Sequence, residues 1–593
     1  TLIELVPEPG LTQKKESAQQ EKWNTYASSL SEAERDAIRA EQAALLEWQE
    51  TEDTAEDLQK IPMLSRADMT PEGQVPCWNA EFMGGAAGGA SVLASGETEA
   101  AGAGDASAAA SDGANATGLS VPLLTHPIFT NKIHYLSFLF SLENLPAELW
   151  PYLPVLKSLF GVIDTSKHSY TELNQEICIA TGGISPAISV YPNAKDPKKI
   201  RAFFEVGVKV LDQNLDKAFA LIAEILTESD FTKIDRIREV LEEERAGMRA
   251  QMPASGHVTA SNRAQSYYSK PAAIIDLVSG ITAYRLINDL CEMLAGKNVN
   301  ESDSSSENQI ANGNSNSSVE NSGLAASGTN PVAGSGLASS GEELAQKLQE
   351  LVRALFTRGR LMVDAAGMPE DQKELPALIE NLASALGQEE VRGEEYHFSL
   401  EKKNEGFTTA GQVQFVCRAG NFLEKGFAYT GALRVLRVMM GYNYLWNNVR
   451  VKGGAYGCMS SFSRDGSGVF VSYRDPHLAE TIDVFEGAAD FVASFDADER
   501  TMAQYIIGAV AALDHPMTPA QFARYSLTAY LTDYSAEDIQ RERDQVLTAS
   551  PADIRALAPL VRAFMSDECL CVVGTAEGIE KNRNLFGAVE KLL

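Results

Sequence analysis

Hydrophobic and polar positions follow one order in two long stretches of the chain, about residues 119–388 and 389–593. Each stretch has a strand-like segment, then an apolar helix, then a glycine pair, then another strand. The first set is Lys132–Phe140, Tyr152–Gly161, Gly182–Gly183 and Thr181–Val190, and the second is Gln412–Arg418, Gly431–Asn447, Gly453–Gly454 and Val469–Tyr473. The repetition predicts two related α+β domains.

The first 83 residues have a different pattern, which is polar and acidic with helical spacing. Two helices are predicted, roughly Leu11–Ser28 and Glu32–Glu50, and Ser31 with Glu34 fits the capping box that begins a helix. These helices would pair as a hairpin that connects larger bodies. The segment Thr1–Pro9 is typical of the end of a strand followed by a linker, so we expect the chain to continue a larger polypeptide.

Two tracts, residues 84–118 and 300–341, are rich in small and polar residues. They bury too little apolar surface to offset chain entropy, so both are expected to be disordered insertions. The predicted organisation is a helical hinge over 1–83, an insertion over 84–118, a domain over 119–388 that contains the insertion 300–341, and a domain over 389–593.

Composition narrows the possible partners. The 593 residues carry 50 Lys and Arg against 81 Asp and Glu, a net charge of −31. Such a surface repels phosphate backbones, which argues against nucleic acid, and attracts basic peptides. Seven cysteines with irregular spacing exclude a disulfide framework. No apolar run approaches the ~20 residues that cross a bilayer, so no membrane partner is expected.

The sequence contains no recognisable metal site. No two of the seven histidines lie within four residues of each other, which excludes His-Glu-x-x-His and its inverse, His-x-x-Glu-His. No cysteine pair has zinc-finger spacing. A Gly-x-Ser-x-Gly elbow between strand and helix and a Walker phosphate loop are also missing. We therefore predict that this chain by itself binds no metal.

One segment, residues 445–457, ends a helix, passes a glycine pair and enters a strand. It can be simply a tight turn that needs positive φ at Gly453 and Gly454. Alternatively, the glycines allow close approach of another backbone while Arg450 and Tyr456 project into a cleft. A guanidinium and a phenol would then donate hydrogen bonds to a substrate carbonyl or a developing oxyanion.

Arg450–Gly457, followed by Ser472–Pro476, resembles the C-terminal half of the pitrilysin/insulinase-type zinc peptidases, in particular the presequence protease and falcilysin branch. Ile61–Ser65 is similar to the hinge of that branch. Pro122–His126 and Asn131–Tyr135 are similar to the start of its third domain. These motifs occur in family order and cover nearly the whole chain outside the two insertions.

The resemblance implies two pitrilysin-type α/β sandwich domains, the third and fourth of the family, after a helical-hairpin hinge. It implies that zinc is bound by an N-terminal half outside this chain, because the corresponding helices here, Tyr152–Phe160 and Ala432–Met440, have neither His nor a Glu pair. By residue-for-residue match, Arg450 and Tyr456 would be catalytic and would also bind substrate together with Gly454.

The implied function is that of the C-terminal half of a zinc metalloendopeptidase that degrades unfolded peptides, such as basic targeting presequences, in a closed chamber. The N-terminal half would be its partner, the chain alone would be inactive, and the location would be the mitochondrial matrix or a plastid. The alternative is a non-catalytic homologue that acts as a structural or substrate-presenting subunit. A third possibility is a peptide-binding module without hydrolysis.

Overall fold

A computed structural model describes residues 10–51, 53–81, 121–296, 337–389 and 391–593. The chain divides into two compact units, within residues 1–68 and 69–593. The predicted insertion 84–118 lies outside the described residues, as do residues 300–336 of the second one. Residues 337–341 pack in the larger unit, where Ala338 is buried and its N–H donates to the Tyr152 hydroxyl (2.9 Å). The second insertion therefore ends earlier than predicted.

The smaller unit is helical. Its helices are α1 (Leu11–Ser29), α2 (Glu32–Glu50) and α3 (Ala55–Lys60). The capping box predicted at the start of α2 is confirmed, since Ser31 and Glu34 bond each other's backbone N–H groups. Trp23 and Trp48 are 56% and 74% exposed, so the tight packing that a stable hairpin needs is not observed among the described side chains.

The larger unit contains two mixed sheets. The strands of the first are β1 (Asn79–Glu81), β2 (Leu123–Pro127), β3 (Ile133–Ser141), β4 (Ile184–Pro192), β5 (Ile200–Leu211) and β6 (Leu361–Gly367). Those of the second are β7 (Asn404–Thr409), β8 (Phe415–Asn421), β9 (Gly457–Phe462), β10 (Ser467–Tyr473), β11 (Cys569–Thr575) and β12 (Ala588–Lys591).

The two sheets share one topology. Their strand orders are β1-β2-β6-β3-β5-β4 and β12-β7-β11-β8-β10-β9. In both, the second and third strands are parallel and the following pairs are antiparallel. The sixth strand differs, because β1 is antiparallel to β2 whereas β12 is parallel to β7. This confirms the predicted α+β fold of two related bodies.

Helices surround both sheets. In the first body they are α4 (Leu153–Leu159), α5 (Tyr170–Ala180), α6 (Leu215–Glu228), α7 (Ile234–Ala254), α8 (Gly256–Ser266), α9 (Lys270–Ser279), α10 (Ile281–Leu294), α11 (Gly341–Leu355) and α12 (Leu375–Ala385). In the second they are α13 (Ala432–Met439), α14 (Ala479–Ala493), α15 (Glu499–Leu513), α16 (Pro519–Leu531), α17 (Ala536–Leu547), α18 (Pro551–Arg555), α19 (Ala558–Met565) and α20 (Ala576–Lys581). None of the helices in the described ranges is long and apolar enough to cross a membrane.

Each sheet packs one face against helices of its own body and the other against a helix of the opposite body. α8 from the first body covers β8, β10 and β11. In return, Leu527 and Leu531 of α16 pack on the first sheet against Leu124 and Met362. The two bodies of the larger unit are therefore interlocked, and each completes the core of the other.

Candidate functional site

The candidate residues lie where α13 changes into wider helical turns. The backbone continues as π-helix over Met440–Tyr444 and Trp446–Lys452, so the single helix predicted over Gly431–Asn447 is wrong in type and in its end. π-Helical turns are rare and occur frequently at functional sites. Leu445 and Val449 anchor the inner side of these turns in the core of the second body.

The outer side of the same turns presents aromatic and cationic side chains. Tyr442 is 75% exposed and Trp446 is 40% exposed, and Arg450 follows at the same spacing of four residues. Together with Tyr456, which is 66% exposed, they form what we call the aromatic face (Tyr442, Trp446, Arg450 and Tyr456). Exposed aromatic side chains next to an arginine are typical of surfaces that bind another molecule.

The guanidinium of Arg450 is positioned by stacking. Its central carbon lies 4.1 Å from the ring centroid of Trp446 and 5.7 Å from that of Tyr456. Within the described part of the chain, no hydrogen bond or ion pair engages the Arg450 side chain. Stacking on a ring face therefore orients the guanidinium and leaves its N–H donors free.

Tyr456 is held by its backbone rather than by its hydroxyl. Its N–H donates to the carbonyl of Tyr473 (3.1 Å), and the two rings meet edge to face with centroids 5.8 Å apart. The preceding Ala455 is buried and its N–H donates to the carbonyl of Val449 (3.1 Å). No described residue bonds the Tyr456 hydroxyl. The structure thus places Arg450 and Tyr456 side by side, each with free donors.

The two glycines of the turn differ. Gly454 has φ 77°, in the left-handed region, whereas Gly453 has φ −84°. The predicted positive φ is therefore correct for Gly454 and wrong for Gly453. A Cβ on Gly453 would lie 2.6 Å from the carbonyl oxygen of Val449, so crowding by the preceding turn explains the second glycine.

Sequence reasoning missed the residues that support Tyr456 from behind. The ring of His257, contributed by α8 of the opposite body, meets the ring of Tyr473 edge to face with centroids 4.7 Å apart. Burial lowers the pKa of His257, which favours a neutral ring in this stack. The missing signal is physical, because 199 positions of sequence separate His257 and Tyr456 and only the exchanged helix brings them near each other.

Among the residues that the structure describes, no three His, Cys, Asp or Glu side chains lie close enough together to hold a metal ion. α4 and α13, which the resemblance aligns with a zinc-bearing helix, instead bury apolar side chains such as Leu156 and Leu436. The described residues therefore do not fit zinc.

Two protein families match the chain. The family of regions associated with subfamily C of the M16 peptidases matches residues 5–94 and 106–290, and the family described as "PreP C-terminal domain" matches residues 404–576. The second match includes the whole aromatic face.

The chain is similar to proteins about twice its length. It is 29% identical to Protein HypA of Clostridium perfringens over all of this chain and 53% of that protein. It is 27% identical to Presequence protease 1, chloroplastic/mitochondrial, of Arabidopsis thaliana over 80% of this chain and 40% of that protein. A solved structure of a peptidase M16 inactive domain from Pseudomonas fluorescens aligns at 11% identity with a TM-score of 0.49, covering 77% of this chain and 96% of that one. The chain spans about half the length of the curated relatives it matches.

Proposed function

Since the chain belongs to the pitrilysin-type peptidases and carries the regions of their C-terminal half, we propose that it supplies Arg450 and Tyr456 to the active site of a zinc endopeptidase that degrades unfolded peptides. One observation carries this proposal: a guanidinium and a phenol lie side by side on the aromatic face with no partner among the described residues. Similarity to proteins named presequence proteases supports the peptide substrate.

The chemistry of the pair suits a peptide carbonyl. The phenol of Tyr456 is a neutral donor and the guanidinium of Arg450 is a charged, planar one, so together they would bind a carbonyl oxygen and stabilise negative charge that develops on it. Gly454 between them has no side chain that would keep a substrate backbone away. Tyr442 and Trp446 extend the same face and would contact the flanking residues of the peptide.

The remaining parts of the reaction belong to the rest of the proposed enzyme. Zinc would be held by an N-terminal half, the two halves would close a chamber around the peptide, and this chain alone would be inactive. Presequence substrates are basic and poor in acidic residues, which agrees in sign with the net charge of −31. A mitochondrial or plastid location is proposed from the names of the presequence proteases, and a similar chain also occurs in the bacterium Clostridium perfringens.

The test compares Tyr456→Phe and Arg450→Lys in the enzyme assembled with its N-terminal half. Loss of one oxyanion donor is expected to lower kcat on an unfolded peptide about a hundredfold, and lysine lacks the planar fork of arginine. Stability should change by less than about 1 kcal/mol, because the Tyr456 side chain is exposed. The measurements are kcat, melting temperature and zinc content.

Tyr442→Phe is the matched control, because it removes a phenol hydroxyl from the same face and should leave kcat unchanged. Full activity of Tyr456→Phe would eliminate the catalytic role. A complete enzyme that binds peptide but never cleaves it would favour the alternative of a substrate-presenting homologue.

A further inference from the structure

The face of the first sheet that α16 packs on is only partly covered. Strand register places Asp364 of β6, Ser137 of β3, Gly207 of β5 and Ser185 of β4 in one row across this face. These are small side chains except for Asp364, and they leave open a cleft of about 410 Å³, which we call the trough. Its size falls within the range of ligand-binding pockets.

The second sheet has no equivalent opening at this position within the described residues. Its corresponding strands, β8 and β11, carry Cys417, Ala419 and Cys571, which are buried beneath α8. The trough is therefore a feature of the first body alone and not a general consequence of the fold.

A buried carboxylate lies in the wall of the trough. Asp364 is 4% exposed, and its Oδ1 lies 2.6 Å from Nε2 of His126. Its other oxygen, Oδ2, bonds no described residue, and the side chain borders the open space of the trough. A carboxylate oxygen in such a place gains much more from a charged donor than one on the surface does.

The cationic groups around the trough leave this oxygen available. Arg524 pairs with Glu205, which also accepts a hydrogen bond from Ser189 (2.7 Å). Lys209 is exposed and has no partner among the described residues. It stands on β5, two strands from Asp364, which is about 10 Å across a sheet. The trough thus has an acceptor on one side and a free ammonium donor on the other.

We propose that the trough binds a primary ammonium group of a peptide, with Asp364 Oδ2 as its acceptor and Lys209 facing the adjoining carbonyl oxygens. A guanidinium suits the site less well, because it prefers both oxygens of a carboxylate and His126 already occupies one of them. An ammonium group is a compact donor that needs only one oxygen. The inference concerns a site apart from the aromatic face and does not depend on the proposed peptidase activity.

An α-amino terminus and a lysine side chain share this chemistry, and three probe peptides distinguish them. The full chain is titrated by calorimetry with Ala-Ala-Ala amide, acetyl-Ala-Lys-Ala amide and acetyl-Ala-Ala-Ala amide. We expect at least one of the first two to bind and the third, which has no ammonium group, not to bind. The probe that binds identifies the source of the ammonium group.

Asp364→Asn keeps the shape of the side chain and removes its charge, so binding should weaken at least about tenfold. Asp212→Asn is the matched control: Asp212 also pairs with a histidine of the first body, His134 at 3.0 Å, but does not line the trough. Its affinity should be unchanged.

Ser137→Leu tests the same site without altering the carboxylate, because the larger side chain would fill the trough, and it should abolish binding. Arg450→Ala should leave binding unchanged, which separates this inference from the proposed function. Failure of both ammonium probes to bind would overturn the inference, as would equal binding of the fully blocked peptide. Unchanged affinity in the folded Ser137→Leu variant would also overturn it.

Discussion

The guanidinium of Arg450 illustrates how single residues prepare the aromatic face. An arginine paired with a carboxylate would have to break that pair before it could bind a peptide, whereas stacking on Trp446 at 4.1 Å orients the group and leaves all its donors available. Pre-orientation of this kind reduces the entropy lost on binding.

Gly454 gives a prediction at the same scale. Its φ of 77° is unfavourable for any residue with a Cβ, although the space is open, since the nearest atom to an added methyl group would be Cγ of Pro476 at 3.7 Å. Gly454→Ala should therefore destabilise the protein by about 1–2 kcal/mol through backbone strain alone. Urea unfolding measures this effect.

Gly457→Ala is the matched control for that variant. Gly457 does not have positive φ, and the nearest atom to a methyl group at this position would be Cβ of Tyr473 at 3.9 Å. Its free energy of unfolding should change little. Equal unfolding midpoints for the two alanine variants would contradict the role assigned to the left-handed turn.

The residues that could be predicted from the sequence are those whose roles depend on near neighbours in the chain. The capping box of Ser31 and Glu34 spans three positions, and the turn at Gly454 is fixed by its own backbone. The stack of Arg450 on Trp446 was not predicted, because it depends on the π-helical turns that bring the two side chains together.

At the scale of elements, Glu542 of α17 joins three segments of the second body. It accepts hydrogen bonds from Arg464, in the turn between β9 and β10, at 2.9 and 2.6 Å, and from Tyr429, before α13, at 2.9 Å. It also pairs with Arg434 of α13. A carboxylate with this many donors holds α17, α13 and the β9–β10 turn together.

The stability of this junction should depend on pH. Burial alone would raise the pKa of Glu542, but the charges of Arg464 and Arg434 outweigh it and lower the pKa to about 2. Since an unfolded glutamate titrates near pH 4.3, the stabilisation is fully present above that pH and is lost as the pH falls toward 2. The loss should approach roughly 3 kcal/mol.

Urea unfolding between pH 5 and pH 2 measures this loss. Glu542→Gln cannot titrate, so it should be less stable than the parent protein at pH 5 and should lose less stability on acidification. If the two proteins lose the same free energy over this range, the assignment of the pH dependence to Glu542 is wrong.

The larger unit is organised by an exchange of helices, with one buried arginine on each side. Arg263 of α8 donates to Glu405 on the second sheet (2.8 and 3.2 Å) and to Asp276 (2.9 Å). Arg524 of α16 pairs with Glu205 on the first sheet. The repeated order of elements predicted the two sheets, but it did not predict this exchange, since 142 positions separate Arg263 from Glu405 and no local pattern joins them.

The two buried arginines should contribute unequally to stability. The side chain of Arg263 is 9% exposed and that of Arg524 is 45% exposed. Arg263→Met leaves Glu405 and Asp276 buried without their cation and should cost about 3–5 kcal/mol. Arg524→Met should cost less, because water can solvate the carboxylate that remains. Urea unfolding of the two variants measures the difference.

The exchange also predicts how the bodies fold. Residues 389–593 expressed alone would expose the face of the second sheet that α8 covers, including Phe415, Cys417 and Val471, which are at most 7% exposed in the larger unit. Burial of such side chains supplies roughly 1.5–3 kcal/mol each, and domains have only about 5–15 kcal/mol of net stability. The isolated segment should therefore bind a hydrophobic dye and unfold without a cooperative transition, whereas co-expression with residues 69–388 should restore one. A cooperative transition of the isolated segment at the urea midpoint of the whole chain would show that α8 is dispensable, and the bodies would then be independent domains.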